Sequence, residues 1–341
     1  MFPIYVVMRV SRKPQALGYW KFHRPGHEWE NEWNTDAGNY KIYTKYTKEI
    51  AGDDIGAWFS FHLAQEESIE VQVGVSFVSI ENARLNLETE QPVPDFDSIR
   101  LAARNQWNAD LSRVLVEGGT EYQKTIFYTG LYHTLIHPNI LQDINGEYPA
   151  LESSEIKTTE ENRYTVFSLW DTYRNVHPLM SLLFPDRQLQ MVRTMIDMYR
   201  ESGWMPKWEL YGRESLTMEG DPSVAVIVDT WMRGLRDFDI ETAYEAMYKS
   251  AMTPGADNFL RPDNDDYMQL GYVPLTGEFD NSVSHAVEYY LADWNLGQLA
   301  KALGKKEEAA YLHNRSLGYK HYYCKEYGTC RPILSNGEFF S

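Results

Sequence analysis

Apolar and polar residues alternate along the first part of the chain in a way that predicts β-strands. The clearest alternation runs from Ile69 to Phe77 and places Ile69, Val71, Val73, Val75 and Phe77 on one face. Three shorter runs, rich in aromatic and β-branched residues, cover 4–8, 40–44 and 57–62. Turns rich in Gly, Asn and Asp separate them, at 36–39 and 51–54. Residues 1 to about 88 are therefore predicted to form an antiparallel sheet that is part of a sandwich.

After the prolines at 92 and 94, the spacing of apolar residues changes from strand alternation to the period of a helix, so helices are predicted from there onward. Asp95 is in position to cap a helix whose apolar side carries Phe96, Ile99, Ala103, Trp107 and Leu111. Four later stripes have the same spacing: Leu189, Val192, Met195, Ile196 and Tyr199; Val224, Val228, Trp231 and Leu235; Val283, Val287, Tyr290 and Trp294; Ala309, Leu312 and Tyr319. Helices joined by long aromatic and acidic loops predict an α/α toroid, with a site where the loops gather.

Length, charge and composition narrow the class of protein. The 341 residues suggest about two domains, and the net charge of -17 excludes a nucleic-acid surface, which requires clustered Lys and Arg. The aromatic content is 14%, and Tyr and Trp provide flat amphipathic faces that suit sugar rings. The cysteines Cys324 and Cys330 leave both a disulfide and two free thiols open.

The sequence carries no recognisable membrane or export signal. No stretch approaches the roughly 18 apolar residues of a membrane span. The first nine residues lack the basic region and the cleavage site of a signal peptide. Taken literally, this predicts a cytoplasmic chain, unless its natural N-terminus lies further upstream.

The segment Ser168-Leu-Trp-Asp-Thr-Tyr-Arg174 combines an aromatic ring, a carboxylate and a guanidinium. If a helix begins at Ser168, then Trp170, Asp171 and Arg174 share one face. One interpretation is structural: a carboxylate at a helix start, an arginine partner and a buried tryptophan. The other is a sugar site, in which Asp171, fixed by an arginine, accepts hydrogen bonds from sugar hydroxyls while Trp170 packs on the ring.

Four carboxylates, Glu209, Glu214, Glu219 and Asp221, follow within thirteen residues. Glycoside hydrolysis uses two carboxyl groups, and Glu219 and Asp221 are the candidates here. The competing interpretation is that Asp221, which precedes a proline, caps the next helix.

Two further patterns resemble metal sites but are incomplete. Asp263-Asn-Asp-Asp266 lacks the glycine and the terminal glutamate of a calcium loop, so an acidic turn is predicted. His133 and His137 have a spacing that could bind zinc, but no glutamate adjoins His133. Both are predicted to be structural histidines.

Several motifs together resemble glycoside hydrolase family 92, the exo-acting, calcium-dependent, inverting α-mannosidases. They are Val75-Ser-Phe-Val-Ser79 with Ala83-Arg-Leu-Asn-Leu87, Phe127-Tyr-Thr-Gly-Leu-Tyr-His133, Phe167-Ser-Leu-Trp-Asp-Thr-Tyr-Arg174, Gly203-Trp-Met-Pro-Lys-Trp208, Met218-Glu-Gly-Asp221 and Arg236-Asp-Phe-Asp239. The resemblance runs from about residue 70 to the end. It implies an α+β multidomain protein: a partial antiparallel β-sandwich at 1–90, a linker helix at 91–120 and part of an (α/α)6 barrel at 121–341.

The resemblance also implies a substrate site. Trp170, Asp171 and Arg174 would form the subsite for the non-reducing mannose. Residues Met218, Glu219, Gly220 and Asp221 would line the same subsite. Ca²⁺ would be the cofactor, with its main ligands outside this chain.

The catalytic segments of the family are absent from this sequence. The family's acid lies in a Glu-Gly-small-small-Trp segment and its base in a later Gly-Asn-Asp-Asp-like segment, and the chain contains neither. No catalytic or metal residue is therefore assigned. The chain is expected to be an inactive middle piece of a periplasmic or secreted enzyme.

Three functions stay open at this point. The first is a fragment of an α-mannosidase that acts on α-1,2-linked mannosides of N-glycans or mannans. The second is a non-catalytic protein that binds mannose-containing glycans, and the third is a structural toroid without a ligand. The oligomeric state is not predicted.

Overall fold

The computed structural model describes residues 3–22, 40–43, 49–276 and 281–340. The chain divides into two compact units. Residues 6–75 and 84–104 form a smaller unit, and residues 1–5, 76–83 and 105–341 form a larger one. The turn predicted at 36–39 lies outside the described residues.

The described part of the first 76 residues contains strands β1 (Tyr5–Val10), β2 (Ala16–Phe22), β3 (Tyr40–Tyr43), β4 (Ile55–Ser60) and β5 (Val71–Ser76). The sequence predicts all of them except β2, which is the centre of an antiparallel sheet of order β3-β2-β4, while β1 pairs with β5. Gly18 and Lys21 interrupt the alternation of β2 and hide it. A Cβ at Gly18 would lie 2.4 Å from the main-chain oxygen of Tyr43, so only glycine allows this close approach.

The apolar face of β5 is exposed rather than buried. Its three valines are 41% to 55% exposed, whereas Gln72 between them is buried. The Gln72 side chain accepts a hydrogen bond from Arg9 Nε at 2.8 Å and donates to the main-chain oxygen of Gln91 at 2.8 Å. The alternation correctly predicted the strand, but the polar side of the strand is the buried one. Gln72 can be buried because its side-chain polar atoms are hydrogen-bonded.

Helix α1 (Ile80–Glu90) corrects the prediction of strands up to about residue 88. Ser79 caps this helix, because its Oγ accepts a hydrogen bond from the main-chain N–H of Asn82 at 3.0 Å. Ala83 and Leu87, four residues apart, are its buried apolar contacts.

The helix predicted after the prolines is present as α2 (Phe96–Leu111). The Asp95 carboxylate accepts a hydrogen bond from the main-chain N–H of Ser98 at 3.0 Å, which confirms the predicted cap. Hydrogen bonds from Ser98 lower the Asp95 pKa. No residue of α2 is buried within the part of the chain that the structure describes.

The rest of the larger unit is mainly helical. Its helices are α3 (Glu121–His133), α4 (Leu169–Thr172), α5 (Val176–Leu183), α6 (Pro185–Ser202), α7 (Ser223–Met232), α8 (Ile240–Met252), α9 (Asn264–Leu270), α10 (Ser282–Ala302) and α11 (Lys306–Ser316). Short antiparallel strand pairs lie between them: β6 (Asn139–Ile140) with β9 (Tyr164–Thr165), β7 (Glu147–Pro149) with β8 (Ile156–Thr158), β10 (Glu209–Leu210) with β11 (Arg213–Glu214), and β12 (Tyr323–Cys324) with β13 (Thr329–Cys330).

Helices α6 and α7 form the centre of the core and confirm two predicted stripes. Val192, Met195 and Ile196 of α6 are almost fully buried, as are Val224 and Val228 of α7. Helix α6 begins with a proline and is followed by a glycine with φ of 81°. These are the usual residues for a helix start and a helix end, so local and tertiary preferences agree here.

Helix α10 is present as predicted, but only part of its predicted stripe faces the core. Val287 and Trp294 of the predicted stripe are 43% and 47% exposed, whereas Ala286, Tyr289 and Leu296 are fully buried. The core includes Tyr290 of the predicted stripe, with Val283 packed against it, whereas Val287 and Trp294 lie outside the core.

The last predicted helix ends earlier than expected. Helix α11 stops at Ser316, and a 3-10 helix continues over Leu317–Tyr322. Its tighter period exposes Tyr319 and buries Tyr322. Both cysteines that follow are free thiols. Among the described residues, no helix combines the length and the apolar character of a membrane span.

Candidate functional site

The Trp170 segment begins the site. Strand β9 leads through Val166, which has φ of 65°, into α4. The main-chain oxygen of Ser168 accepts from the N–H of Asp171 at 3.1 Å, which starts the predicted helix. Within this turn Trp170 is partly buried, whereas Asp171 is exposed and makes no polar side-chain contact with any described residue.

Arg174 covers two aromatic rings and holds a carboxylate. Its Cζ lies 4.6 Å from the ring centroids of both Trp170 and Tyr173. Its Nη2 donates to Glu288 Oε1 at 2.9 Å. The sequence predicts that arginine fixes Asp171, and the structure corrects this: the carboxylate fixed by Arg174 is Glu288.

Glu288 of α10 is the site residue that sequence reasoning missed. Its side chain is 11% exposed, and it also accepts a hydrogen bond from the Tyr173 hydroxyl at 3.1 Å. The buried Nε1 of Trp170 contributes a looser polar contact to the same carboxylate. Burial raises the Glu288 pKa, and these donors, with Arg174 first, partly oppose the rise. No local motif marks Glu288, because its partners lie more than a hundred positions away.

Gly220 brings the second predicted segment against the same glutamate. It has φ of 75°, and a Cβ at this position would lie 2.6 Å from Glu288 Cβ. Only glycine is compatible with both the dihedral angle and the close approach. The structure therefore places Trp170, Arg174 and Gly220 around one carboxylate, although they come from two separate motifs.

The other residues of this segment differ in exposure. Met218 has φ of 64° and is 43% exposed, and Glu219 is partly buried. Asp221 is 1% exposed, and its Oδ2 accepts from Ser250 Oγ at 2.8 Å and lies 3.0 Å from Arg261 Nη2. Burial raises the Asp221 pKa, and Arg261 opposes the rise. This geometry favours a supporting role for Asp221 beneath the site rather than direct contact with a ligand.

Asp263, which the sequence assigns to an acidic turn, precedes α9 and pairs with a histidine. Its Oδ2 forms a short hydrogen bond with Nδ1 of His285, one turn before Glu288 on α10. Its charge also acts on Lys207, which lies in the Gly203–Trp208 segment. The predicted acidic turn is therefore only partly correct, because residues 264–266 begin α9 and Asp263 before them is held by a tertiary contact.

Within the described residues, no group of three or more His, Cys, Asp or Glu side chains is placed to hold a metal ion. The arrangement provides instead an aromatic face, one guanidinium and partly buried carboxylates. These are the groups that bind the ring and the hydroxyls of a sugar.

A helical unit whose loops gather such groups is typical of glycoside hydrolases. The chain belongs to glycosyl hydrolase family 92, because the model of this family's catalytic domain matches residues 82–341.

Solved structures of the family are similar to this chain. The inverting mannosidase BT2199 from Bacteroides thetaiotaomicron has a TM-score of 0.87 and 30% identity, covering 100% of this chain and 44% of that one. The α-mannosidase BT3965 from the same organism has a TM-score of 0.83 and 30% identity in its complex with mannoimidazole, covering 99% and 42%. This likeness confirms the fold class: a partial N-terminal β-sandwich followed by part of a helical toroid.

A curated relative agrees with the family. An uncharacterized secreted glycosidase of Arthroderma benhamiae is 28% identical over 255 residues, which cover 70% of this chain and 29% of that protein. The chain thus spans less than half the length of these relatives.

Proposed function

We propose that the protein to which this chain belongs is an exo-acting, inverting α-mannosidase, and that the residues around Glu288 bind the terminal mannose. The convergence of Trp170, Arg174 and Gly220 on the Glu288 carboxylate carries this proposal. The similarity of this chain to a solved structure of an α-mannosidase in complex with mannoimidazole supports the proposal.

Two carboxylates of this site have free acceptor capacity for a sugar. Glu288 accepts one hydrogen bond from Arg174 and another from Tyr173, and each carboxylate oxygen has two lone pairs. Asp171 is exposed and has no polar partner among the described residues. Both carboxylates can accept hydrogen bonds from sugar hydroxyls. Arg174 fixes the orientation of the Glu288 carboxylate, which favours selection of one ring configuration.

The cleavage step requires a carboxylic acid at the departing oxygen and a carboxylate that activates water on the opposite face. Neither is assigned to this chain, since its sequence lacks both family segments. We therefore also propose that the 341-residue chain binds mannose without cleaving mannosides.

The remaining parts of the proposal rest on the resemblance and the relatives. They are a preference for α-1,2-linked mannosides of N-glycans or mannans, a requirement for calcium, and a periplasmic or secreted location, in line with the secreted relative. No calcium ligand is assigned among the described residues.

Two measurements on the purified chain test this proposal. Calorimetric titration with methyl α-mannoside, with and without calcium, should show saturable binding. Incubation with an α-1,2-linked mannobiose should release no mannose. Absence of binding would favour a structural toroid without a ligand, whereas release of mannose would contradict the assignment of the catalytic groups to other segments.

A further inference from the structure

Glu209, the first of the four carboxylates that follow the Trp170 segment in the sequence, is fully buried in the larger unit. Its carboxylate accepts hydrogen bonds from Thr165 Oγ1 at 2.8 Å, the Gly212 N–H at 2.6 Å and the Val166 N–H at 3.2 Å. All three neighbouring groups donate. A carboxylate fits among them, because its two oxygens only accept.

Val166 has a main-chain conformation that valine rarely adopts, with φ of 65°. A β-branched residue is disfavoured in this left-handed region, and such a conformation persists only where surrounding contacts fix it. Glu209 contacts the chain on both sides of this position. Its carboxylate binds Thr165 and the N–H of Val166, and its main-chain oxygen accepts from the N–H of Phe167 at 3.0 Å. Glu209 therefore fixes the three successive residues 165–167.

The hairpin of β10 and β11 holds Glu209 in turn. It reverses direction at Tyr211 and Gly212, which have φ of 51° and 82°, as a tight two-residue hairpin turn requires. The Gly212 N–H donates to the Glu209 carboxylate, and the Tyr211 N–H donates to Thr165 Oγ1 at 2.8 Å. The hairpin and the end of β9 are thus joined by a continuous set of hydrogen bonds.

The turn at Val166 directs the chain from β9 into α4 and toward the site. Phe167 and Leu169, which follow it, are fully buried. The same segment continues to Arg174, whose Nη2 donates to Glu288 Oε1 at 2.9 Å. Since main-chain dihedral angles determine the path of the chain, a change of φ at Val166 would shift this segment relative to Glu288.

We propose that Glu209 positions the sugar site by holding Val166 in the left-handed conformation. In this way it determines where the segment 170–174 meets Glu288. The inference rests on the proposed function. It adds a residue that acts on the bound sugar through this segment and does not touch the sugar itself.

The Glu209→Gln variant tests this inference by calorimetric titration with methyl α-mannoside at pH 8. Burial raises the pKa of Glu209 to about 7, so the wild-type carboxylate is mainly charged at this pH. Glutamine has the same shape, but its amide nitrogen would bring donors against the N–H groups of Val166 and Gly212. The turn should relax, and affinity should fall about 10-fold, because only chains with the segment in place bind.

A double variant, Glu209→Gln with Val166→Gly, separates positioning from general stability. Glycine adopts a positive φ without steric cost, so the turn would no longer require the Glu209 carboxylate. Most of the lost affinity should return. The melting temperature should stay below that of the wild-type chain, because glycine gives the unfolded chain more conformational freedom.

Glu201→Gln is the matched control, because Glu201 is another buried glutamate of the same unit. Its side chain is 2% exposed, accepts from the Leu151 N–H at 2.8 Å and pairs with Arg163 at 2.7 Å. Its hydrogen-bond partners lie outside residues 165–174. The variant should lower the melting temperature, since it leaves a buried arginine without its carboxylate, but should keep the mannoside affinity. Titrations are made at a temperature at which circular dichroism shows every variant folded.

Each outcome is decisive. Weaker binding by Glu209→Gln that returns in the double variant, with unchanged affinity in Glu201→Gln, supports the inference. Wild-type affinity in Glu209→Gln, or no recovery in the double variant, would overturn the inference and leave the proposed function intact. An equal loss of affinity in Glu201→Gln would also overturn it, because affinity would then follow stability. Absence of mannoside binding by the wild-type chain would overturn both.

Discussion

Two groups of charged side chains in the helical unit differ in how completely they are paired. The first, the buried network, consists of Asp221, Arg261, Asp293 and Arg315, whose side chains are at most 5% exposed. Arg261 contacts both aspartates, and Arg315 binds Asp293 through two nitrogens. Two cations balance two anions.

The second, the site group, consists of Asp171, Arg174, Glu219 and Glu288. Only Arg174 and Glu288 pair directly within this group. In the buried network every charged side chain is paired with an opposite charge, although Asp221 Oδ1 and Arg261 Nη2 have no hydrogen-bond partner, whereas in the site group Asp171 and Glu219 have no ionic partner among the described residues. Pairing of charges therefore distinguishes the structural ion network from the proposed ligand site more clearly than residue type does, because both groups contain the same kinds of side chain.

The largest expected effect comes from removing one charge from the buried network. Asp293→Asn leaves Arg261 and Arg315 with one carboxylate, Asp221, and weakens the bond from the Tyr267 hydroxyl. An uncompensated buried charge is strongly unfavourable, so the free energy of unfolding should fall by about 3–5 kcal/mol. Urea denaturation followed by circular dichroism measures this change.

Asp229→Asn is the control, because Asp229 forms a similar ion pair with Arg233 on the surface of α7. Its side chain is 37% exposed, and the expected loss is below about 1 kcal/mol. Equal losses in the two variants would contradict the distinction between a structural network and surface pairs.

The second prediction concerns Glu209 and His177, two buried titratable residues that belong neither to the buried network nor to the site group. Burial raises the pKa of Glu209 to about 7 from 4.5, although Thr165 and the main-chain N–H of Gly212 stabilise its charge. Burial lowers the pKa of His177 to about 4 from 6.5, and Gln188 opposes this change. Each group makes the free energy of unfolding depend on pH.

The two dependences have opposite signs. Folded Glu209 holds its proton more tightly than the unfolded chain, so the free energy of unfolding falls as pH rises from 4.5 to 7, by about 3 kcal/mol. Folded His177 holds its proton less tightly, so the free energy of unfolding rises by about 3 kcal/mol between pH 4 and 6.5. The two effects nearly cancel in the wild-type chain.

Glu209→Gln should remove one side of this balance. In Glu209→Gln only the His177 contribution remains, so the free energy of unfolding should rise between pH 4 and 6.5. In His177→Gln only the Glu209 contribution remains, so the free energy of unfolding should fall between pH 4.5 and 7. Urea denaturation at half-unit pH steps gives both difference curves. Parallel curves for all three proteins would show that the shifted groups do not control the pH dependence.

The third prediction concerns the ion pair between Arg174 and Glu288 in the site group. Glu288→Gln keeps the shape but removes the charge that Arg174 and Tyr173 contact. Mannoside affinity should fall about 10-fold, because charge-assisted hydrogen bonds contribute more than neutral ones. Glu245→Gln is a matched control, since Glu245 accepts from the Tyr199 hydroxyl on the surface. A large loss of stability in Glu288→Gln without loss of affinity would assign Glu288 to the structural network.

Local patterns predicted most of the elements, but not which side of each element is buried. The stripes of α6 and α7 and the cap of α2 were readable because each depends on residues a few positions apart. In β5 and α10, the side facing the core depends on distant partners, such as the main-chain oxygen of Gln91 for Gln72. Periodicity contains no information about those partners.

The site shows the same limit. Trp170, Arg174 and Gly220 were identified from motifs, and the structure brings them together. The carboxylate that joins them was not, because a glutamate on a long helix has no local signal. The expected partner of Arg174 was three residues away, and the actual partner is 114 residues away.

The smallest effect on stability, and the sharpest test of the comparison, is expected for Asp171→Ala. Asp171 is exposed and has no polar partner in the described part of the chain, so its removal should change the free energy of unfolding by less than about 0.5 kcal/mol. If it accepts from a sugar hydroxyl, the same change should lower mannoside affinity about 10-fold. Asp186→Ala at the start of α6 serves as a control that should alter neither binding nor, beyond the small contribution of a first-turn acid, stability. A structural toroid without a ligand predicts the opposite result for Asp171, namely a change in stability alone, so one pair of titration and denaturation curves decides between the two.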